Sequence, residues 1–392
     1  VDVDGLRKSP IGELVPISGT DPRTGLGWSY WAFVPQPLPA SPTLGARAAN
    51  IAGLAAMEVA RLDQAVSQLP RPEILVRPTV RREAASTSAL EGTYASFDDV
   101  LEADFLDDRQ LTVEQREIRN YVTATDQAVE LIKTYPISRN LAGRLQATIV
   151  KGTQGDSFDA GDIRQRQVAI GPKNRPIEEA RFVPVPGDDR LVQGMSDWEK
   201  WVNRDDDFMI VARMAMAHYQ FETLHPFADG NGRLGRLIAI LQLMQDGVLR
   251  WPVLNLAPWL EQRRDVYQQG LLDVTLTGDF DPWIEFFAEA VHVQARAGVQ
   301  KITQLLILRD SIVEDLRVQG VKGTALHLAE FLIGYPVLDV PTARILTGKG
   351  FETANQAVAK LVDKGLLVEI TGKRQNRLFV CRQVLNVTQF LV

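Results

Sequence analysis

Twelve consecutive residues constrain this chain more than any other stretch: His225-Pro226-Phe227-Ala228-Asp229-Gly230-Asn231-Gly232-Arg233-Leu234-Gly235-Arg236. They place one imidazole, one carboxylate, three glycines and two guanidinium groups in a single turn. Before them, Ala215 to Leu224 carries small and apolar residues at helical spacing. After them, Leu237 to Met244 is apolar nearly all round, which predicts a buried helix. The stretch is therefore a hinge between two helices, with Arg233 and Arg236 in the first turn of the second.

A helix start carries free N–H groups and partial positive charge, so it favours acids over arginines. Arg233 and Arg236 make sense there if an anion joins them. Gly230 and Gly232 let the backbone turn its N–H groups towards phosphate oxygens. The arginines can hold outer phosphates bidentately. Asp229 offers a hard oxygen ligand for Mg²⁺, and His225 a general base of near-neutral pKa. The set points to a nucleoside triphosphate site that passes a phosphorus-linked group to a nucleophile.

Other motifs fit less well. Gly230 to Gly235 matches G-x-G-x-x-G, but a helix precedes it where a dinucleotide fold needs a strand. No phosphate-binding G-x-x-x-x-G-K-[ST] occurs. His218, Glu222 and His225 lack the spacing of H-E-x-x-H, and Pro226 follows directly. His218 and Glu222 read better as a half-buried pair supporting the turn.

The twelve residues resemble the signature of the Fic family, His-Pro-Phe-x-Asp/Glu-Gly-Asn-Gly/Lys-Arg-x-x-Arg, at every fixed position. The resemblance implies a mainly α-helical fold and transfer of AMP from ATP to a hydroxyl of a target protein. In that frame His225 deprotonates the hydroxyl and Asp229 binds Mg²⁺. Asn231 and the backbone from Gly230 to Gly232 hold the α and β phosphates, and Arg233 and Arg236 the outer ones. Leu234 and Gly235 belong to the same nucleotide-binding stretch, and Phe227 anchors the loop.

Upstream, Ser88-Ala89-Leu90-Glu91 fits a capping box, and Gly92 equally fits a helix C-cap. Thr87-x-x-x-Glu91-Gly92 also resembles the inhibitory helix of Fic proteins. That resemblance implies that Glu91 pairs with Arg236 and takes the place of the γ-phosphate.

The rest of the chain is arranged around this centre. Residues up to about Thr43 read as an extended arm laid over a core. Leu44 to Leu69 reads as an alanine-rich helix ending at Pro70 and Pro72, and a second helical run follows Pro78. Lys151 to Gly171 changes character, and the alternation from Ile163 to Ile170 predicts a hairpin. The hairpin is either simply structural or similar to the Fic flap, which aligns a target segment by strand addition. Trp251 to Leu260 reads as a loop and Glu261 to Leu271 as a helix. There Tyr267 is either core or, by the resemblance, a wall of the adenine pocket. From Thr324, two short helices and Leu366–Ile370 and Arg377–Val380 around a turn are similar to a winged-helix domain. Lys373, Arg374 and Arg377 could meet phosphates from the wing. The recognition helix carries one basic residue, Lys360, which disfavours DNA.

The expected organisation is an N-terminal arm and helical region with the inhibitory motif (1–110), a Fic catalytic core with a short β-hairpin flap (111–295), a connecting helix (296–323) and a winged helix-turn-helix domain (324–392). A net charge of −6 argues against global nucleic-acid or membrane binding. Cys381 is the single cysteine, so no internal disulfide forms. No apolar run is long enough to span a bilayer. Val1-Asp2-Val3-Asp4 shows neither a methionine nor a signal peptide, so the expected compartment is the cytoplasm and the numbering is expected to start inside a longer chain. The resemblance implies ATP and a hydroxyl-bearing protein as partners and admits a homodimer and self-modification. Removal of AMP from a modified protein and a winged-helix regulator that only senses ATP are the rival functions. An intact His225 argues against a pure sensor.

Overall fold

The computed structural model describes residues 2–20, 25, 27–69, 71–172, 175–372 and 376–389. The fold is mainly helical with small antiparallel sheets. A short helix α1 (Val3–Leu6) leads into strands β1 (Gly12–Thr20) and β2 (Gly27–Pro35), which pair from Gly12↔Pro35 to Thr20↔Gly27. The expected extended arm is thus a β-hairpin. It lies over the core: Phe33 is buried against Phe182, and its N–H donates to Val183 O at 2.9 Å.

Helix α2 (Ala46–Ser67) buries Ala48, Ala52, Ala55, Val59 and Leu62 along one stripe. That stripe packs on the long helix α12 (Asp281–Val318), and the small side chains let the two axes approach closely. Pro70, expected to end α2, lies outside the described residues. Helix α3 (Glu73–Leu90) starts before Pro78 and runs through it, where a break was expected. Proline removes one N–H and crowds the carbonyl four residues back, here that of Ile74. The helix survives because Leu75 and Val80 on either side are buried.

Then come α4 (Phe97–Glu102), α5 (Val113–Leu131), α6 (Arg139–Val150), α7 (Asp189–Val202), α8 (Ile210–Leu224) and α9 (Asn231–Gln245). Helices α8 and α9 form the centre, buried on nearly every side. Trp198 Nε1 from α7 donates to Ala217 O at 3.0 Å, and Trp283 Nε1 from α12 donates to Ala215 O at 2.8 Å. These bonds pin α8 between its neighbours.

Two expectations fail for tertiary reasons. The segment from Gly152 to Gly171 holds no strand, and only Ile170 bridges to Phe182. Arg164, which alternation would place outside, is turned inward and 1% exposed, so the segment wraps around the signature loop. The stretch expected to be a loop up to Leu260 contains α10 (Ala257–Gln262). The Glu83 carboxyl on α3 accepts the Ala257 N–H at 3.0–3.1 Å and caps that helix from 174 positions away. Helix α11 (Arg264–Thr277) follows, longer than expected.

Beyond α12 lie α13 (Thr324–Phe331), β3 (Val337–Leu338), α14 (Val340–Thr347), α15 (Phe351–Asp363), β4 (Val368–Glu369), β5 (Phe379–Val380) and α16 (Arg382–Gln389). The strands form an antiparallel sheet in the order β3-β5-β4. This end packs on α3 and α4: Arg71 and Arg77 lie over the Phe331 and Tyr335 rings, and Leu101 joins a cluster with Val337 and Val380. Lys373 and Arg374 lie outside the described residues. Among those described, no helix is long and apolar enough to cross a membrane.

Candidate active site

Helix α8 ends at His225, which adopts φ 49° and ψ 60°. This left-handed conformation is unusual for a residue with a side chain, and more so before a proline. Arg164 holds it in place. Its Nε donates to His225 O at 2.8 Å, and Nη2 donates to Val185 O at 2.6 Å and Leu224 O at 3.3 Å. Burial lowers the Arg164 pKa to about 10, so it remains charged at neutral pH. Asn231 closes the other side of the turn: Oδ1 accepts the Phe227 N–H at 2.9 Å and Nδ2 donates to Phe227 O at 2.8 Å. Gly230, at φ 80°, then starts α9 with no side chain capping it. The Gly230 N–H donates to Asp229 Oδ1 at 2.5 Å, and the N–H groups of the first turn after it have no partner within the helix, as at any helix start.

A carboxylate lies beside this helix start. Glu91 is the C-cap of α3, so this segment ends a helix and the capping-box reading falls. Its Oε1 accepts from Arg236 Nη2 at 2.6 Å. It also lies against Gly232: a Cβ there would come within 2.2 Å of Oε1. Arg236 is further bound by Thr87, with Nε donating to Oγ1 at 2.6 Å and Nη2 to the carbonyl at 3.0 Å. Burial pushes the Glu91 carboxyl up, but the Arg236 guanidinium overrides this and holds it below its ordinary value. Burial alone would likewise weaken the Arg236 charge, and Glu91 reverses that. The pair is thus ionised, and α3 is fixed to the rest of the protein through Glu83 and the Arg81–Asp104 ion pair.

His225, Arg236, Gly232, Glu91 and Tyr267 all line one cavity of about 770 Å³. His225 Nδ1 lies 3.3 Å from Glu222 O. Donation to that carbonyl sets the tautomer that leaves Nε2 free to accept a proton. Burial, helped by the Arg164 charge, pushes His225 down to about 4, below the near-neutral value expected from sequence. Asp229, 47% exposed, is not among the residues that line this cavity; its Oδ1 lies 3.3 Å from Arg233 Nη2 and accepts the Gly230 N–H.

The remaining residues are distributed less simply. Arg233 Nη1 donates to Glu117 Oε2 on α5 at 3.1 Å, and its side chain is outside the cavity lining. Leu234 is fully buried in the core. Gly235 faces α8, and the Asn231 side chain is used on Phe227. None of these three presents a side chain to the cavity. Tyr267 Oη lies 2.8 Å from His218 Nε2. Burial holds His218 down at about 3, so it is neutral and forms no ion pair with Glu222, 4.0 Å away. In place of the expected His218–Glu222 pair, His218 is partnered by Tyr267.

Arg164, Thr87 and Gln146 carry structural duties the sequence reading did not assign; Gln146 Nε2 donates to Asp229 O at 2.9 Å. Their partners are remote in sequence, and no spacing could have found them. Arg164→Ala leaves several buried carbonyls without donors, so it is expected to cost about 2–4 kcal/mol of stability. Urea unfolding measures this; an unchanged midpoint would show that the turn holds itself.

Residues 51–130 match the model of the Fic/DOC family N-terminal region, and residues 136–243 that of the Fic/DOC family. The chain carries a Fic domain. It is 34% identical over 139 residues to the "Protein adenylyltransferase Fic" of Culex quinquefasciatus, covering 35% of this chain and 24% of that one. It is 32% identical over 157 residues to the "Protein adenylyltransferase fic-1" of Caenorhabditis elegans, covering 39% and 28%. The chain thus spans about a quarter of the length of the curated relatives it matches. The fold is similar to that of a Fic family protein from Desulfovibrio desulfuricans G20, with a TM-score of 0.56 at 19% identity over 88% of this chain and 98% of that one. A Fic domain containing signaling protein from Bacteroides thetaiotaomicron gives 0.50 at 17% identity, covering 64% and 98%. Both of these relatives are named protein adenylyltransferases.

Proposed function

We propose that this chain is a protein adenylyltransferase that moves AMP from ATP to a Ser, Thr or Tyr hydroxyl and is held back by Glu91. The observation that carries the reading is that one cavity joins a free imidazole to a helix start and a buried arginine. The hydroxyl oxygen attacks the α-phosphorus while His225 takes its proton, and the bond to the β-phosphate oxygen breaks to release pyrophosphate. The free N–H groups at the start of α9 receive the phosphates, and Arg236 receives the γ-phosphate once Glu91 leaves. His225, neutral at pH 7, is in the form a base requires. Labelled ATP incubated with the chain and a lysate tests the reading; no labelled protein from the Glu91→Gly variant would exclude it.

Asp229 fits Mg²⁺ as a single hard carboxylate at the phosphate end, with the remaining ligands coming from phosphate and water. Bound there, the ion would neutralise charge on the leaving pyrophosphate. Asp229→Ala is expected to raise the Mg²⁺ concentration needed for transfer by about tenfold or more. Transfer that is equal at every Mg²⁺ concentration would reduce Asp229 to a turn residue.

We read the unit from α13 to β5 as a winged helix, supported by α14 and α15 across a turn and the small sheet beside them. Lys360 on α15 lies near Asp363 at 3.7 Å, which leaves little net charge for phosphates. A protein contact suits this unit better than DNA. The cytoplasm, where ATP is supplied, is the compartment the reading implies.

A further inference from the structure

Asp229 is gripped from three sides. Its Oδ1 accepts the Gly230 N–H and lies 3.3 Å from Arg233 Nη2. Gln146 Nε2, on α6, donates to its backbone carbonyl at 2.9 Å. On another face the side chain lies against Gly155: a Cβ there would come within 2.6 Å of Oδ2, and its three nearest atoms would all belong to the Asp229 side chain. Among the described residues no hydrogen bond engages Oδ2.

The arginine of this grip is itself held from behind. The Arg233 side chain is 3% exposed, and its Nη1 donates to Glu117 Oε2 on α5 at 3.1 Å. Its Nε is buried without a partner, so the guanidinium is held by its two ends, Glu117 at one and Asp229 at the other. Glu117 is 13% exposed and pairs with no other cation among the described residues. A buried guanidinium keeps its place while a counter-charge stays with it. Beside Asp229 it also opposes any cation that Asp229 would hold, and a carboxylate on its far side offsets that opposition.

We propose that Glu117 is a positioning residue for the Mg²⁺ site: it fixes and offsets Arg233, which orients Asp229 through Oδ1, while Gly155 gives the carboxylate room to keep that orientation. The inference rests on the reading of Asp229 as the Mg²⁺ ligand. Carboxylates that bind metals are oriented by hydrogen bonds from the residues behind them, and loss of one such partner costs about 10- to 100-fold in metal affinity or activity. Glu117→Gln keeps the shape and one acceptor but turns the whole Arg233 charge on Asp229. Gly155→Ala keeps every charge and pushes the carboxylate aside. Gly155 lies outside the left-handed region, so the added methyl brings no backbone strain.

The test uses the full chain carrying Glu91→Gly, alone and combined with Glu117→Gln, Gly155→Ala, Asp229→Ala, or Glu117→Gln and Asp229→Ala together. Calorimetry gives the Kd of α,β-methylene-ATP, from which AMP cannot be transferred, in Mg²⁺ and in EDTA. Self-labelling with ATP gives the Mg²⁺ concentration for half-maximal rate. Glu117→Gln and Gly155→Ala are each expected to raise that concentration about tenfold and to shrink the gain in affinity that Mg²⁺ brings, with the Kd in EDTA unchanged. A merely structural role would not single out the measurements made with the ion. With Asp229 already alanine, Glu117→Gln should add nothing, because the group it acts through is gone. An unchanged Mg²⁺ dependence in either variant overturns the inference, and so does an equal shift by Glu117→Gln in the absence of Asp229. Tighter binding in EDTA by Glu117→Gln would mean that the released Arg233 goes to the phosphates, which overturns it as well. If Asp229→Ala itself leaves the Mg²⁺ dependence as it was, the reading of Asp229 as the ligand falls and the inference falls with it.

Discussion

Glu91→Gly is expected to raise AMP transfer about a hundredfold, seen most directly as self-labelling, while ATP affinity changes far less. The carboxylate holds Arg236 Nη2 at 2.6 Å and lies on Gly232, where a phosphate oxygen would sit. ATP can then bind only with its outer phosphates displaced, and an error of about one ångström at the α-phosphorus costs about a hundredfold. Removing Glu91 leaves Arg236 still bound to Thr87, so the guanidinium stays oriented towards the cavity. Adding Arg236→Ala should cancel the gain, because the freed arginine does the positioning. The melting temperature should fall in Glu91→Gly, since a buried arginine loses its counter-ion. Faster transfer from a less stable protein identifies a brake; lower stability with flat transfer would mean that Glu91 serves only the fold.

His225→Ala, placed in the Glu91→Gly background, should lower transfer by about 10²–10⁴-fold with ATP binding nearly intact. The phosphates meet the start of α9 and Arg236, neither of which depends on the imidazole. The pH profile offers an independent check. The base works only when unprotonated, so activity is lost as pH falls through the folded-state pKa. Burial and the Arg164 charge depress that value from 6.5 to about 4, and Glu91 is one of the groups that pull it up. With Glu91 gone, the acid limb should lie at or below about pH 4. A limb near 6.5 would show that His225 is solvated when it acts, and full transfer by His225→Ala would remove it from the chemistry.

The turn at His225–Arg236 was legible because its chemistry is local. Glycines at 230 and 232 and arginines three apart on one helix face state a need for an anion without reference to the rest of the chain. The helices around it were legible for the same reason, since an apolar period reports on one face of one element. What the sequence left open was which of two equally good local readings applied. At Glu91, a cap and a brake use the same residues. The fold separates them by ending α3 there and bringing Arg236 to the carboxylate across 145 positions. At Ile163 to Ile170, alternation argued for a strand. The buried carbonyls of an αL turn 61 positions away took Arg164 inward instead. At Ala257, the Glu83 carboxyl group on α3 caps a helix start whose one local sign, Pro258 in the first turn, did not outweigh the loop reading. In each case a buried polar group had to find a partner, and only the tertiary structure decides which one is near enough to serve.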